Sequence, residues 1–454
     1  MAAQETSNML KRRDFLGMMG GAPAVLSGQT RRPPNILFFL ADDLGYGDLG
    51  CYGQTRIETP NLDRLAAEGI RFTQAYAGAT VCAPSRCCLL TGRHGGHASV
   101  RGNKRPELGL APNEPTVASV LREAGYTSRL YGKWGLGGPG MKSTPNSHGF
   151  DDFYGYLDQL HAHDAYPTHI WENENETFLV PNWFHARKQF TPDLFADKAV
   201  NFLETAGEKP FFLYFPTIIP HANNELGRVQ PNGMESPDLG PYKDRDWPEV
   251  EKSFAAAITR MDGYMGRMLE VLRRRGMEEN TLILFSSDNG PHAEGNHKPG
   301  FFESSGPLRG TKRDLYDGGI RVPAIARWKG TGAAGKVSDA MWAFWDLLPT
   351  ACALAGRNVP GGIDGVDVTP SLVDGRPVER SHFYWEFHEG GFAQAVRSGP
   401  WKLVKQRPKF GYELFNVEKD IGERTDVSGQ YPEVAARLRK LMDASRTPHP
   451  AFPV

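Results

Sequence analysis

Three uninterrupted apolar runs constrain the fold of this chain more than any other feature. Asn35-Ile36-Leu37-Phe38-Phe39-Leu40, Phe211-Phe212-Leu213-Tyr214-Phe215 and Thr281-Leu282-Ile283-Leu284-Phe285 show no apolar–polar alternation. A strand with one solvated face alternates, so such runs belong to strands buried on both faces, as in a parallel sheet covered by helices. Each run is followed by polar residues: Asp42 and Asp43 after the first, Pro220-His221 after the second, Ser286-Ser287-Asp288-Asn289-Gly290 after the third. Helical segments separate them. Thr59 precedes Pro60 at a first helical position, with Leu62, Leu65 and Ala66 on one face and Gly69 beyond the end. The same grammar recurs from Thr116 to Gly125, ahead of the run Tyr126 to Tyr131 that delivers Lys133. Ala257, Met261, Met265, Met268 and Leu272 recur about one turn apart, with Gly276 as the stop. Strands alternating with helices predict an α/β fold, a doubly wound and mostly parallel sheet sandwiched by helices. Ligands of such sheets sit outside the carboxyl ends of the strands, where Asp42, Asp43, Lys133, His221, Asp288 and Asn289 all fall.

Beyond about residue 375 the pattern changes. Phe383-Tyr384-Trp385, Ala395-Val396 and Trp401 to Val404 read as shorter strands joined by Gly and Pro turns, and Pro432 opens a terminal helix with Val434, Leu438 and Leu441 on one face. The reading is an α/β domain over residues 33–375 and a smaller α+β domain with a short antiparallel sheet over residues 376–454. Residues 1–32 stand apart. Lys11, Arg12 and Arg13 lead into Asp14-Phe15-Leu16 and a short apolar stretch, Met18 to Leu26, broken by Gly20, Gly21 and Pro23, which is the grammar of an export signal. The Arg-Arg-x-Phe-Leu pattern is similar to a twin-arginine signal, predicting a periplasmic or extracellular protein that folds before it crosses the membrane. A disordered basic tail is the alternative. No run approaches the ~20 apolar residues that span a bilayer. With 52 Lys+Arg against 53 Asp+Glu, no global charge favours nucleic acid or an anionic membrane, so any anion recognition has to be local. Five cysteines in 454 residues are too few for a disulfide framework.

Asp42, Asp43, Asp288 and Asn289 offer hard oxygen ligands, a set suited to calcium or magnesium rather than zinc. Either pair alone is also ordinary turn chemistry. The deciding segment is Val81-Cys82-Ala83-Pro84-Ser85-Arg86, continuing to Leu89-Leu90-Thr91-Gly92-Arg93. A cysteine beside an arginine reads either as an activated thiolate or as a buried core thiol, and the residue types alone leave both open. The whole segment, however, resembles the signature of the type I sulfatases of the alkaline phosphatase-like superfamily. Asp42-Asp43-Leu44-Gly45-Tyr46-Gly47-Asp48 and Ser287-Asp288-Asn289-Gly290 are similar to that family's two metal segments. Gly132-Lys133-Trp134, Pro220-His221, and Lys312 ahead of Tyr316 to Pro323 are similar to its sulfate-site segments. The resemblance runs from Pro34 to about Val427.

The resemblance implies a sulfuric ester hydrolase, of the bacterial arylsulfatase or glycan sulfatase kind, that releases inorganic sulfate. It implies that a maturation enzyme converts Cys82 to 3-oxoalanine (formylglycine), whose hydrated form attacks sulfur. It implies Ca2+, with Mg2+ as the alternative, held by Asp42, Asp43, Asp288, Asn289 and the modified Cys82. Arg86 then stabilises the hydrated aldehyde, Lys133 and Lys312 neutralise sulfate oxygens, Asp288 accepts the nucleophile's proton and His221 protonates the leaving oxygen. Asp48, Thr91 and Arg93 brace the Cys82 loop, the Gly-Gly turn beside Asp317 sets backbone shape, and Arg321 makes a structural pair. Many members carry His two positions after the lysine of the Gly-Lys-Trp segment; this chain has Gly135, so another histidine or a water takes that contact. Cys51, Cys87, Cys88 and Cys352 are expected as buried thiols. His161 and His163, in an insertion, and His292 and Arg309, after the second metal pair, are the expected substrate contacts. An exo-cleaved sulfated carbohydrate is preferred as substrate over a small aryl sulfate. One rival is a phosphonate or phosphate monoester hydrolase of the same superfamily, against which Asn289 argues. The other is a catalytically silent glycan-binding homologue, against which the intact residue set argues.

Overall fold

The apolar runs form adjacent strands at the centre of an 11-stranded sheet. The computed structural model describes residues 32–105, 107–331, 334–406 and 411–454; the expected export signal, with Arg12 and Arg13, lies outside the described residues. In chain order the large sheet comprises β1 Asn35–Ala41, β2 Ile70–Tyr76, β3 Thr127–Lys133, β4 Asp152–Tyr156, β5 His169–Glu172, β6 Asn175–Phe178, β7 Phe211–Pro216, β8 Thr281–Ser287, β9 Arg321–Arg327, β10 Lys336–Ser338 and β11 Trp342–Ala343. Their spatial order is β10-β2-β9-β8-β1-β7-β3-β4-β5-β6, with β11 also on β2. The block β8-β1-β7-β3-β4 is parallel. β9 is antiparallel to both neighbours, and β4, β5 and β6 are joined antiparallel.

The run in β1 is apolar throughout because each face meets a different hydrophobic layer. Ile36, Phe38 and Leu40 join one, Leu37, Phe39 and Ala41 the other. Burying a large apolar side chain of this kind stabilises by roughly 1.5–3 kcal/mol. The helix Glu249–Arg274 adds Ala257, Met261, Met265, Met268 and Leu272 to the second layer, as its spacing predicts.

Register carries the chemistry to one place. β1 pairs β8 with Ala41 opposite Ser287, and pairs β7 with Leu40 opposite Pro216. The residues just beyond these strands therefore meet at one edge of the sheet.

The helix Pro60–Ala67 follows Thr59, but the Thr59 hydroxyl does not cap it. That oxygen accepts from the Gly50 N–H at 2.9 Å and donates to Asp63 Oδ1 at 3.1 Å. The cap comes instead from Asp262, whose carboxylate accepts from the Asn61 and Leu62 N–H groups at 3.1 and 2.7 Å. The helix Val117–Glu123 has the cap its sequence predicts. Thr116 Oγ1 accepts from the Ser119 N–H at 3.1 Å, and Ser119 Oγ accepts in return at 2.9 Å.

The second sheet is antiparallel, in the order β12 Phe383–Phe387, β13 Ala393–Ser398, β14 Trp401–Lys405 and β15 Glu413–Asn416. Phe383, Trp385, Ala395, Val404 and Phe415 join a core layer of the large sheet. Tyr384, Val396, Leu403 and Leu414 are covered by Leu438 and Met442 of the helix Pro432–Ala444. Among the described residues, no helix is long and apolar enough to cross a membrane.

Candidate active site

Cys82 opens the helix Cys82–Thr91, every residue of which is buried. Its Sγ donates to Asp42 Oδ1 at 3.2 Å and lies 3.9 Å from Asp43 Oδ1. One turn along, Arg86 donates from Nε and Nη2 to Asp288 Oδ2 at 3.0 and 2.8 Å, and from Nη1 to the Lys133 carbonyl at 2.9 Å. Its Nη2 is also 3.4 Å from Asp42 Oδ2. Lys133 donates to Asp42 Oδ2 at 2.8 Å, and Lys312 to Asp43 Oδ2 at 2.7 Å and Glu294 Oε2 at 3.0 Å. The left-handed turn at Asp43 (φ 66°) is held by its own N–H, which donates to Asp288 Oδ1 at 3.0 Å. The sequence-predicted residues Asp42, Asp43, Cys82, Arg86, Lys133, His221, Asp288, Asn289 and Lys312 thus come together around one point.

Burial and charge oppose each other here. Burial alone would raise Asp42, but Lys133 and Arg86 overcome it and hold the carboxyl well below its usual range. Burial is likewise overcome at Asp43, by Lys312 and His221. Asp288 goes the other way: burial and the neighbouring Asp42 carboxylate push it up to about 7, despite Arg86. Burial, with Asp42 beside it, also pushes the Cys82 thiol well above its ordinary value. An unmodified Cys82 is therefore a protonated thiol, which argues against the activated-thiolate reading.

The cluster fits a hard divalent cation. Asn289 donates from Nδ2 to Asp43 Oδ1 at 2.7 Å and to the Gly290 carbonyl at 2.9 Å, while its buried Oδ1 has no hydrogen-bond partner among the described residues. An orphaned amide oxygen beside three carboxylates is an all-oxygen donor set.

A cavity of about 200 Å³ opens at Cys82, lined by His221, Lys312, His163, Gln159, Arg313 and Glu389 among others. His221 Nδ1 lies 2.6 Å from the Ala222 carbonyl and so carries the hydrogen; Nε2 accepts from Lys312 at 3.3 Å. Burial, then Lys312, press this imidazole down to about 3. At Gly135 (φ 69°) an added Cβ would lie 2.3 Å from Gln159 Nε2, which donates to the Gly135 carbonyl at 2.9 Å. Gln159 thus occupies the volume that a side chain at this position would take.

Of the four expected substrate contacts, the structure brings only His163 to this cavity. His161 is not there, because its ring packs against Tyr156 and His169, centroids 5.0 and 4.5 Å apart. His292 is fully buried, with Nε2 2.9 Å from the Pro220 carbonyl and Nδ1 accepting from the Glu294 N–H at 3.0 Å, so it shapes the loop from behind. Arg309 stacks on Tyr316 at 3.7 Å, donates to the Glu423 carbonyl at 2.7 Å, and lines a separate depression. Thr91 donates to the Cys87 carbonyl at 2.7 Å, inside the helix that Cys82 opens, whereas Asp48 accepts from the Gly45 N–H at 2.7 Å within its own segment and Arg93 donates to the Gly362 carbonyl at 3.0 Å. Arg321 pairs with Asp317 at 3.3 Å. All five cysteines are free, and Cys51 is half-buried rather than buried. Glu294 and Glu389 were not anticipated; no motif marks them. Gln159, which opens the insertion that carries His161 and His163, does line the cavity.

The chain matches the family profile described as Sulfatase over residues 34–357, and the profile described as N-sulphoglucosamine sulphohydrolase, C-terminal, over residues 310–447. It is 31% identical to N-acetylgalactosamine-6-sulfatase of Rattus norvegicus, over 99% of this chain and 86% of that protein. It is 33% identical to arylsulfatase A of Homo sapiens, over 90% of this chain and 87% of that protein. The crystal structure of Ps i-CgsB in complex with k-i-k-neocarrahexaose superposes with a TM-score of 0.75 at 28% identity, covering 91% of this chain and 93% of that one. By fold, by site and by these likenesses, the chain belongs to the sulfatase family and is a sulfuric ester hydrolase.

Proposed function

We propose that this protein removes sulfate from a sulfated carbohydrate, with residue 82 as formylglycine and with Ca2+, or Mg2+ as the second choice, held by Asp42, Asp43, Asp288, Asn289 and the modified residue 82. The observation that carries this reading is the buried convergence of Arg86, Lys133 and Lys312 with those oxygen donors around Cys82, where a cavity opens. The cation would add the positive charge that polarises a sulfate ester. The hydrated aldehyde at position 82 would supply a nucleophile that frees itself by returning to the carbonyl, which a thiol cannot do.

The remaining steps belong to the chain's own side chains. Lys133 and Lys312 act as point charges on sulfate oxygens. Arg86, committed to Asp288 and the Lys133 carbonyl, orients the Asp288 carboxyl, which takes up the nucleophile's proton. Burial depresses His221 most; a sulfate beside Lys312 offsets the second cause, the lysine charge, and raises the proton affinity of Nε2, which takes up a proton from solvent. His221 Nε2 then donates to the leaving oxygen. The carbohydrate reading is supported by hydrogen-bonding side chains in the cavity lining, Asn103, Gln159 and His163 among them, and by the names of the relatives, an N-acetylgalactosamine-6-sulfatase and a protein crystallised with a neocarrahexaose. Arg12 and Arg13 support export in folded form, after a maturation enzyme has acted on Cys82.

The test is free sulfate released from a panel of sulfated mono- and oligosaccharides, run beside 4-nitrophenyl phosphate with added calcium or manganese. Sulfate release that chelator abolishes and calcium restores is the expected result. Phosphate release exceeding sulfate release would favour the phosphomonoester rival, and glycan binding without turnover the silent homologue.

A further inference from the structure

His163 is held in the cavity in a way that the chemistry at sulfur does not require. It ends the single turn His161–His163 after β4, and its ring lies parallel on His221, centroids 4.7 Å apart at 17°. Nδ1 is 2.9 Å from Glu225 Oε2. Glu225 sits in the first turn of the helix Asn224–Val229, which is fixed by Asn223 Oδ1 accepting from the Leu226 N–H at 2.9 Å. A carboxylate only accepts, so His163 Nδ1 carries the hydrogen and Nε2 presents a lone pair. Nε2 hydrogen-bonds to no described residue, and the ring lines the cavity with Cys82, His221 and Lys312. Burial, then Lys133, lower the pKa of this imidazole, which keeps it neutral.

A neutral lone pair repels sulfate oxygens, which are acceptors, so its partner must be a hydrogen-bond donor. The side chain is 17% exposed against 2% for His221, which makes His163 the more accessible ring of the stacked pair. Resting on the carbohydrate reading above, we propose that His163 Nε2 accepts a hydrogen bond from a sugar hydroxyl next to the sulfated position, and that Glu225 is the positioning residue that fixes its tautomer. The pair selects the sugar; it does not act at sulfur.

The experiment is steady-state kinetics on the sulfated monosaccharide that wild-type enzyme turns over best, and on its set of monodeoxy analogues, each lacking one hydroxyl. His163→Ala is expected to lower kcat/KM on the parent sugar by about 10- to 100-fold, mostly through KM, the range set by one buried hydrogen bond of about 1–3 kcal/mol. On one analogue, wild type and variant should converge. His163→Gln, which keeps an acceptor, should recover part of the loss. Glu225→Ala, which leaves His163 Nδ1–H without its acceptor, should behave like His163→Ala, and Glu225→Asp should keep part of the activity. A penalty equal on every analogue, as loss of the stack on His221 would give, overturns the proposal, and so does no penalty at all. Failure of wild type to release sulfate from any sugar is seen before a variant is made, and removes the carbohydrate reading together with this inference.

Discussion

Arg86 is fully buried, and its donors are already committed to Asp288 and to the Lys133 carbonyl. Arg86→Met would leave two carboxylates buried without that cation, which should destabilise the fold by about 3–5 kcal/mol. Chemical denaturation with and without calcium checks this: the midpoint should drop without the cation and recover partly with it. Gly135→Ala should cost about 1–2 kcal/mol for the left-handed backbone and also push Gln159 off the Gly135 carbonyl. In a Gln159→Ala background only the backbone part should remain, and equal costs in both backgrounds would contradict the steric argument. Residues that follow a buried strand, such as Asp42, Asp288 and His221, were legible because the apolar run fixes where each must emerge. Cys82, Lys133 and Lys312 were legible from segment resemblance. Glu225 and Glu294 were not, since a lone polar residue in a loop has no period and no spacing to betray it. His292 and Arg309 misled for the converse reason: residue type and neighbourhood favoured a substrate contact, while packing had already claimed both side chains.

At the scale of elements, chain order predicts that strands and helices alternate, but not which strand reverses. β9 runs antiparallel between β2 and β8, and nothing in Arg321-Val322-Pro323-Ala324 encodes its direction. Caps divide in the same way. Thr116 works locally and was readable, whereas the helix Pro60–Ala67 is capped by Asp262, 200 residues from Leu62. Asp262→Ala should therefore destabilise by about 0.5–2 kcal/mol, the range for a lost N-cap. Amide exchange at Asn61 and Leu62 should accelerate more than exchange in the central strands. Uniform acceleration would indicate a global rather than a capping effect.

Across the whole molecule, the two sheets are joined by a buried seam of charge. Asp317 accepts from Lys402 of β14 at 2.7 Å and from Tyr76 of β2 at 3.0 Å, and Lys402 is also 2.9 Å from Glu423. Burial opposes ionisation of Asp317, but Lys402 and Arg321 hold it below the ordinary carboxylate range. A depressed acid stabilises above its unfolded pKa, about 3.9, and that stabilisation is lost as pH falls below it. Burial raises Glu423 to about 7, which gives a loss of the opposite sign as pH rises toward that value. Tm should therefore fall as pH drops below about 4, and Lys402→Met should flatten that limb; an unchanged limb would contradict the seam. The same junction reaches the active site. Glu389 lies 3.3 Å from Arg313, which also holds Glu294 beside Lys312, so the second sheet helps to shape the cavity at Cys82. Residue 82 decides the chemistry, and it is read directly by tandem mass spectrometry of the peptide that contains it, taken from enzyme whose sulfate release has been quantified. 3-Oxoalanine is expected at position 82, in a fraction that tracks specific activity. Unmodified Cys82 in fully active enzyme would contradict that expectation.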